Sequence, residues 1–295
     1  MSVTVSIVVH KTPLPQLERA VECLLVSPEV KSIYVMDNSP TNALKSIASK
    51  DGKIFYRRIV NRGFGAGHNV AIREIVNPDF PNGENNTGNS SESDNYHLVM
   101  NADVWWKGDI IKKLSEYMRE NPDVGMVMPK VFYPDGTLQY TCRMLPAPFD
   151  VFAKRFLPAS IIKNRIDRYL LAHHDHDKPL NCPYLLGSFL FFRNEVLKES
   201  SGFDERFFMY PEDIDITRRI HRNWKTMYWP GVSIVHEHQA ASRKNLRMLW
   251  IHVVNMISYF NKWGWLKDKE RKDFNNRLLE SVSYLPLEKR VAGKG

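Results

Sequence analysis

Strand-forming runs at residues 3–9, 32–36, 54–60 and 97–100 alternate with stretches that carry helical spacing. Runs that are apolar at successive positions, rather than at every second one, need cover on both faces, which a parallel sheet with helices on either side supplies. The intervening segments fit: residues 14–26 read as a helix, the stretch Asn61-Arg62-Gly63-Phe64-Gly65-Ala66-Gly67-His68-Asn69 opens another that runs to about Val76, and a third spans 109–120. The expectation is an α/β fold with a single Rossmann-like, mostly parallel sheet flanked by helices. Residues 125–129 add a strand, Tyr133-Pro134-Asp135-Gly136 a turn, and 184–192 a further apolar run containing Gly187-Ser188. Residues 79–96 read as a polar, low-complexity exposed insertion, and 146–180 show no strand pattern. With no internal repeat and no convincing linker, the organisation expected is an α/β domain over 1–240 and a helical extension with a basic tail over 241–295.

In doubly wound sheets, ligands bind beyond the carboxyl ends of the strands. Asp37 closes the second strand, the glycine-rich stretch follows the third, and Asn101-Ala102-Asp103 closes the fourth. Each has a structural reading as well as a functional one. Asp37 before Asn-Ser-Pro suits a turn, or a carboxylate that accepts hydrogen bonds from a base or ribose. Asp103 suits a helix cap, or a ligand for a hard divalent cation that also holds phosphate oxygens. The glycines permit close backbone approach to a ligand, although their spacing is not the GxGxxG dinucleotide fingerprint.

Residues 203–215 place Glu212, Asp213 and Asp215 at the end of an aromatic run that also carries Asp204 and Glu205. Carboxylates beside so much apolar surface are costly unless paired, hydrogen-bonded or chemically used. One reading is a helix N-terminus, where they complement the dipole; the other is catalysis. His236 and His238 follow an apolar strand at 232–235, and a histidine at that strand end suits a metal shell shared with Asp103. The run His173-His174-Asp175-His176-Asp177 has metal-like composition, but its polar, helix-free context reads as a solvated loop and no site is assigned to it.

A net charge of +8 points to an anionic partner. The Lys and Arg residues are scattered, with no clustered basic groove interleaved with aromatics, which argues against nucleic acid. Three cysteines without a CxxC fit a reduced, cytoplasmic protein. Neither a signal peptide nor a run of 18 apolar residues is read, so no membrane span is expected. Leu246, Leu249, Trp250, Val253, Met256, Ile257 and Phe260 repeat at helical spacing, with Asn245, His252, Asn255, Ser258 and Lys262 off that stripe; Trp263, Trp265 and four basic residues follow. That composition suits an interfacial helix on an acidic membrane surface, or packing against the rest of the chain or a second copy of it.

In these blocks the chain resembles the family 2 glycosyltransferases, inverting enzymes of the GT-A fold, and most of all their bacterial rhamnosyltransferase branch, which builds O-antigen and related polysaccharides. The resemblance spans about residues 3 to 240 and rests on SIVVH (6–10), MDNSP (36–40), NRGFGAGHNVAI (61–72), LVMNADVWW (98–106), PDG (134–136), LLGSFLFFRNEVL (185–197), GFDERFFMYPEDIDITRRI (202–220) and WPGVSIVH (229–236). It implies a nucleotide-sugar site at Val9, His10, Asp37, Arg62, Gly63, Gly67, Asn69, Asn101 and Ala102. It implies Mg²⁺ or Mn²⁺ held by Asp103 and His236, with Asn101 standing where the family's metal motif often has its first Asp. Asp213 matches the general base, and Gly187, Ser188 and Glu212 fall on the acceptor side. Arg243, beside Ser242 and Lys244, is a candidate clasp for an acceptor diphosphate. The donor implied is dTDP-L-rhamnose, with UDP-galactofuranose, UDP-galactose or UDP-glucose as alternatives. The acceptor implied is a lipid-linked saccharide such as GlcNAc-diphospho-undecaprenol, met on the inner face of the cytoplasmic membrane. A non-catalytic nucleotide-sugar or glycan binder of the same fold is the rival class, and it has no use for Asp213.

Overall fold

The structure, a computed structural model, describes residues 1–76, 95–156, 159–237 and 246–284, with the side chains of 153–161 outside that description. Most of the polar insertion, together with His238, Ser242, Arg243, Lys244 and Asn245, lies outside the described residues.

Among the described residues the main sheet has nine strands. β1 (Ser2–Val9), β2 (Val30–Asp37), β3 (Ile54–Arg58) and β4 (Asn95–Met100) run parallel in the order β3-β2-β1-β4. Between them stand α1 (Leu14–Leu25) and α2 (Phe64–Val76). Next come the short β5 (Val104–Trp105), α3 (Ile110–Glu120) and β6 (Val124–Phe132). Asp109 caps α3 by accepting from the Lys112 N–H at 3.0 Å. The alternation expected of residues 3–120 is present, and α3 begins one residue beyond the expected start.

β7 (Cys142–Arg143) pairs with β9 (Tyr184–Leu185) outside the main sheet, and β8 (Leu180–Asn181) pairs with the main sheet's β11 (Lys225–His236). β10 (Phe189–Arg193) is wholly buried and antiparallel to both β4 and β6, so the sheet is mixed at its centre. β11 runs parallel to β6 and its end meets β5, where His236 stands opposite Val104. Because β10 enters where β4 leaves (Phe189 opposite Met100), the ends of β1, β2, β4 and β11 and the start of β10 share one edge.

The stretch 146–180, without strand pattern in the sequence, supplies α4 (Pro148–Phe156) and α5 (Ala159–Tyr169). Its histidine run, read as a solvated loop, is only partly so: His173 and Asp177 are exposed, the other two histidines are not. His174 and His176 are buried, His176 Nε2 donates to the Leu171 carbonyl at 3.1 Å, and burial pushes its pKa down to about 4. The ring stands near Tyr140 and Tyr228, so apolar packing outweighs the polar composition of the run.

α6 (Asn194–Ser200) and α7 (Glu212–Ile220) follow β10, and α8 (Leu246–Trp263) and α9 (Lys269–Ser281) close the described chain. A second hydrophobic cluster joins Leu145, Tyr184, Phe207 and Ile214 to Met256, Tyr259, Phe260 and Phe274. Residues on both sides of position 241 therefore share one core. The stripe read on α8 divides: Met256 and Phe260 are buried, whereas Leu246 is 82% and Trp250 68% exposed. Asn255, placed off the stripe by spacing, is buried, accepting from the Phe208 N–H and donating to the Met209 carbonyl. Two backbone groups in need of partners set the helix phase there, not hydrophobicity alone.

Candidate active site

The shared strand edge opens into a cleft of about 480 Å³. Asn101, Gly187, Ser188, Glu212, Asp213 and His236, drawn from segments far apart in sequence, all line it. Asp213 sits in the first turn of α7 with 6% of its surface exposed. Its Oδ2 accepts from the Gly187 N–H at 2.8 Å and its Oδ1 from the Ile214 N–H at 2.7 Å. Burial drives its pKa from 3.8 to about 7, against the opposing pull of those N–H groups and of the Arg143 charge. Glu212 is pushed well above the usual carboxylate range by burial and then by the neighbouring Asp213. At neutral pH the pair thus holds one proton-accepting carboxylate beside a protonated one, the condition suited to a general base.

Two buried polar atoms in the cleft, Ser188 Oγ and Glu212 Oε2, have no hydrogen-bond partner among the described residues. Orphans of this kind at a cleft wall are what a polar ligand satisfies. Just ahead of α7, Tyr210 has φ +93°, a conformation costing a bulky residue on the order of 1–3 kcal/mol. That turn aims the N-terminus of α7 into the cleft.

Asp103 and His236 meet as the strand ends predict: Asp103 Oδ1 lies 3.3 Å from His236 Nε2. Gln139 orients the ring, accepting from His236 Nδ1 at 3.0 Å and donating to the His236 carbonyl at 2.7 Å. In the neutral imidazole, Nε2 then presents its lone pair to a carboxylate, an arrangement that a bridging cation resolves. Asn101 reaches Nε2 only at 3.4 Å, a weak contact. Among the described residues no set of three or more His, Cys, Asp or Glu side chains is placed to hold a metal. The pair fits a cation that takes its remaining ligands from phosphate oxygens and water, the usual habit of Mg²⁺.

The nucleotide-side candidates lie along the ends of β1 and β2 and the start of α2. Asp37 is buried, its Oδ1 accepting from the Ser39 N–H at 2.8 Å and its Oδ2 from the Tyr56 hydroxyl at 2.7 Å. His10 is exposed and its Nδ1 lies 3.0 Å from the Asn38 carbonyl, while Val9 and Ala102 are buried and Arg62 is exposed. Gly63 has φ +108°, and a Cβ there would stand 2.2 Å from the Phe208 carbonyl. At Gly67 a Cβ would meet Val8 at 2.7 Å. The glycines therefore seat α2 against its neighbours, a packing role that the reading of close ligand approach did not foresee. Asn69, expected on the nucleotide side, has its side-chain amide engaged within the chain. Its amide donates to the Phe203 carbonyl and Glu205 and accepts from the Phe203 N–H. These bonds tie α2 to the 203–205 segment.

Asp215 also serves structure. It is fully buried and bound by Lys262, Trp263 and Arg219 at 2.6–2.8 Å. Sequence reasoning passed over Gln139, Arg143, Tyr169 and Tyr184, all in the cleft wall. The alternation of Gln139, Thr141 and Arg143 after the Pro-Asp-Gly turn was the available signal.

Residues 4–200 match the family model for glycosyl transferase family 2. The chain belongs to glycosyltransferase family 2. This glycosyltransferase is 27% identical over 244 residues to the N-acetylglucosaminyl-diphospho-decaprenol L-rhamnosyltransferase of Mycobacterium tuberculosis, covering 80% of its own length and 76% of the relative. It is 24% identical over 223 residues to the rhamnosyltransferase WbbL of Escherichia coli, covering 75% of its own length and 78% of the relative. Its fold is similar to that of the Pyrobaculum calidifontis mannosyltransferase in complex with GDP-Man and Mn²⁺ (TM-score 0.56, 15% identity, 99% of this chain and 78% of that one). Staphylococcus aureus TarS 1–349 is also similar (TM-score 0.54, 12% identity, 95% and 71% covered). The GT-A architecture is common to them. Among the described residues no helix is long and apolar enough to cross a membrane.

Proposed function

We propose that this glycosyltransferase moves L-rhamnose from dTDP-L-rhamnose onto a lipid-linked saccharide, such as GlcNAc carried on a polyprenyl diphosphate, with inversion at the anomeric carbon and for cell-surface polysaccharide. The observation that carries the reading is the Asp213 carboxylate, held by two backbone N–H groups with a pKa near 7 in the same cleft as His236. The names of both relatives support rhamnose as the sugar, and that of the Mycobacterium tuberculosis relative supports a diphosphate-linked GlcNAc as the acceptor.

Asp213 takes the proton of the acceptor hydroxyl as its oxygen attacks the anomeric carbon on the face opposite the nucleotide diphosphate. One carboxylate on the acceptor side suffices for that in-line displacement, so no second nucleophilic carboxylate is required. Glu212, protonated beside it, is able to donate to the acceptor, and Ser188 Oγ to bind a sugar hydroxyl. Asp103 and His236 would hold Mg²⁺ or Mn²⁺, which when bound neutralises charge on the departing diphosphate. Asp37, His10, Arg62 and Gly63 would border the nucleotide. Exposed Leu246, Trp250, Ile257 and Leu266 would rest on the membrane that carries the acceptor.

The test is transfer by purified protein from dTDP-rhamnose to a synthetic GlcNAc-diphospho-lipid with Mg²⁺, beside UDP-galactose and UDP-glucose. Rhamnosylated lipid with wild type and none with Asp213→Asn is the expected result. Transfer from a UDP-sugar alone would overturn the rhamnose assignment.

A further inference from the structure

Arg143 is a permanent cation in the wall of the cleft, on the strand β7 that faces Tyr184 of β9. Its Nε donates to the Tyr140 carbonyl at 2.8 Å, its guanidinium stands 5.7 Å from the Tyr184 ring, and the Tyr169 hydroxyl lies beside it. None of the salt bridges among the described residues uses it. Its charge acts on the Asp213 carboxylate from a distance, but among the described residues no carboxylate reaches it within salt-bridge range, so the half-buried fork keeps donors that an arriving anion can meet.

The order of groups along the cleft says which anion. Tyr184, Leu186, Gly187 and Ser188 line it. At one end Tyr184 pairs with Arg143. In the middle the Gly187 N–H holds the Asp213 carboxylate. At the far end the Ser188 carbonyl accepts from the Asn101 N–H, and the Asn101 side chain approaches His236, the partner of Asp103. Asp213 therefore meets this segment between the residue that pairs with Arg143 and the residue bonded to Asn101, which approaches His236, the partner of Asp103 in the pair that would hold a cation. The Asp103–His236 end suits the diphosphate that departs with the nucleotide. In an acceptor sugar linked through its own diphosphate, the attacking hydroxyl at Asp213 and that diphosphate are separated by one sugar ring.

We propose that Arg143 binds the diphosphate of the lipid-linked acceptor and so selects anionic acceptors over neutral glycosides. The planar fork of arginine suits bidentate phosphate recognition in a way a lysine point charge does not. Tyr184 and Tyr169 would keep the fork aimed into the cleft. The inference rests on the transfer reaction proposed above and names a grip for its acceptor within the described residues.

The experiment compares two acceptors with dTDP-rhamnose: GlcNAc-diphospho-lipid and a GlcNAc alkyl glycoside of the same chain length. For wild type, kcat/KM should favour the diphosphate. In Arg143→Gln that preference should fall about 10- to 100-fold, the range of one charge-assisted bidentate contact, through a raised acceptor KM. Arg143→Lys should recover part of it. An equal loss with both acceptors would overturn the proposal, since it marks an effect on Asp213 or on folding. A rise in the KM for dTDP-rhamnose instead would assign Arg143 to the donor diphosphate and also overturn it. Should the glutamine variant fail to fold by circular dichroism, the acceptor ratio of the lysine variant decides: a wild-type ratio refutes. Wild-type protein that transfers to neither acceptor from any donor would mark failure of the transfer reading itself, and this inference falls with it.

Discussion

Replacing Asp213 by Asn should lower activity and, above neutral pH, raise stability. The carboxylate titrates at 3.8 when solvated and at about 7 in the fold, with burial the main cause. Between those values the native state holds a proton that the unfolded chain has released, so stability falls as pH rises through this window and levels off above 7. At about 1.4 kcal/mol per pH unit, the ionised carboxylate costs at most roughly 4 kcal/mol at pH 8. Asn removes that cost, but its amide accepts only one of the two N–H groups that Asp213 serves, and stranding the other costs about 1–3 kcal/mol. The variant should therefore be more stable than wild type by about 1–3 kcal/mol at pH 8 and less stable by a similar amount near pH 4, where the wild-type group is protonated. Urea denaturation across pH 4–8 would show two curves that cross. Transfer should fall about 10²- to 10⁴-fold, and the wild-type rate should rise with pH to a plateau with an apparent midpoint near 7 that belongs to the Glu212–Asp213 pair. Parallel stability curves, or turnover within tenfold of wild type, would refute the assignment of Asp213 as a destabilised base.

Gln139→Leu removes the partner that orients His236 and should weaken Mn²⁺ binding in the presence of dTDP about 10- to 100-fold, read by calorimetry; unchanged affinity would detach His236 from the metal. Asp268→Ala removes two of the hydrogen bonds of Arg218, which is 1% exposed, and leaves Glu270 as its carboxylate partner, so it should cost about 1–3 kcal/mol in denaturant unfolding. Joint substitution of Trp250 and Leu266 by Ser should reduce binding to anionic lipid vesicles at least about tenfold in a flotation assay. Undiminished flotation would remove those residues from the membrane contact.

The sheet was legible because its strands are apolar runs that stop at polar residues, and Asp103 and His236 were legible because both end strands on one edge. What escaped the sequence depends on partners far along the chain. Asn69 follows the glycines and looks like part of a ligand loop, yet its partner Phe203 is 134 residues away. Arg143 acquires its place only when β7 pairs with β9, about forty residues on. Asp213 and Asp215 are separated by one residue, which on a helix turns them about 200° apart. One faces the cleft and the other Lys262 and Trp263, and nothing in Glu-Asp-Ile-Asp states which.

That opposition on α7 explains why a helical extension accompanies the catalytic fold. The front of the helix carries Glu212 and Asp213, two carboxyl groups that burial raises in pKa and that therefore weaken the fold when ionised. Its back and C-terminal turn carry Asp215, Arg218 and Arg219. Asp215 is clamped by Lys262 and Trp263 of α8 and by Arg219, and Arg218 by Asp268 and Glu270 at the start of α9, with the Trp263 ring 4.0 Å from the guanidinium. Residues 246–281 thus anchor the helix that carries Asp213, the proposed base, and their packing offsets the cost of the two buried carboxyl groups. The same helix–helix contact reaches the cleft directly, since His252 and Met256 of α8 line it. A substitution in α9, remote from any substrate, should therefore change turnover through the position of Asp213. The signature would be a shift in the pH midpoint of the rate, which a simple loss of folded protein does not produce.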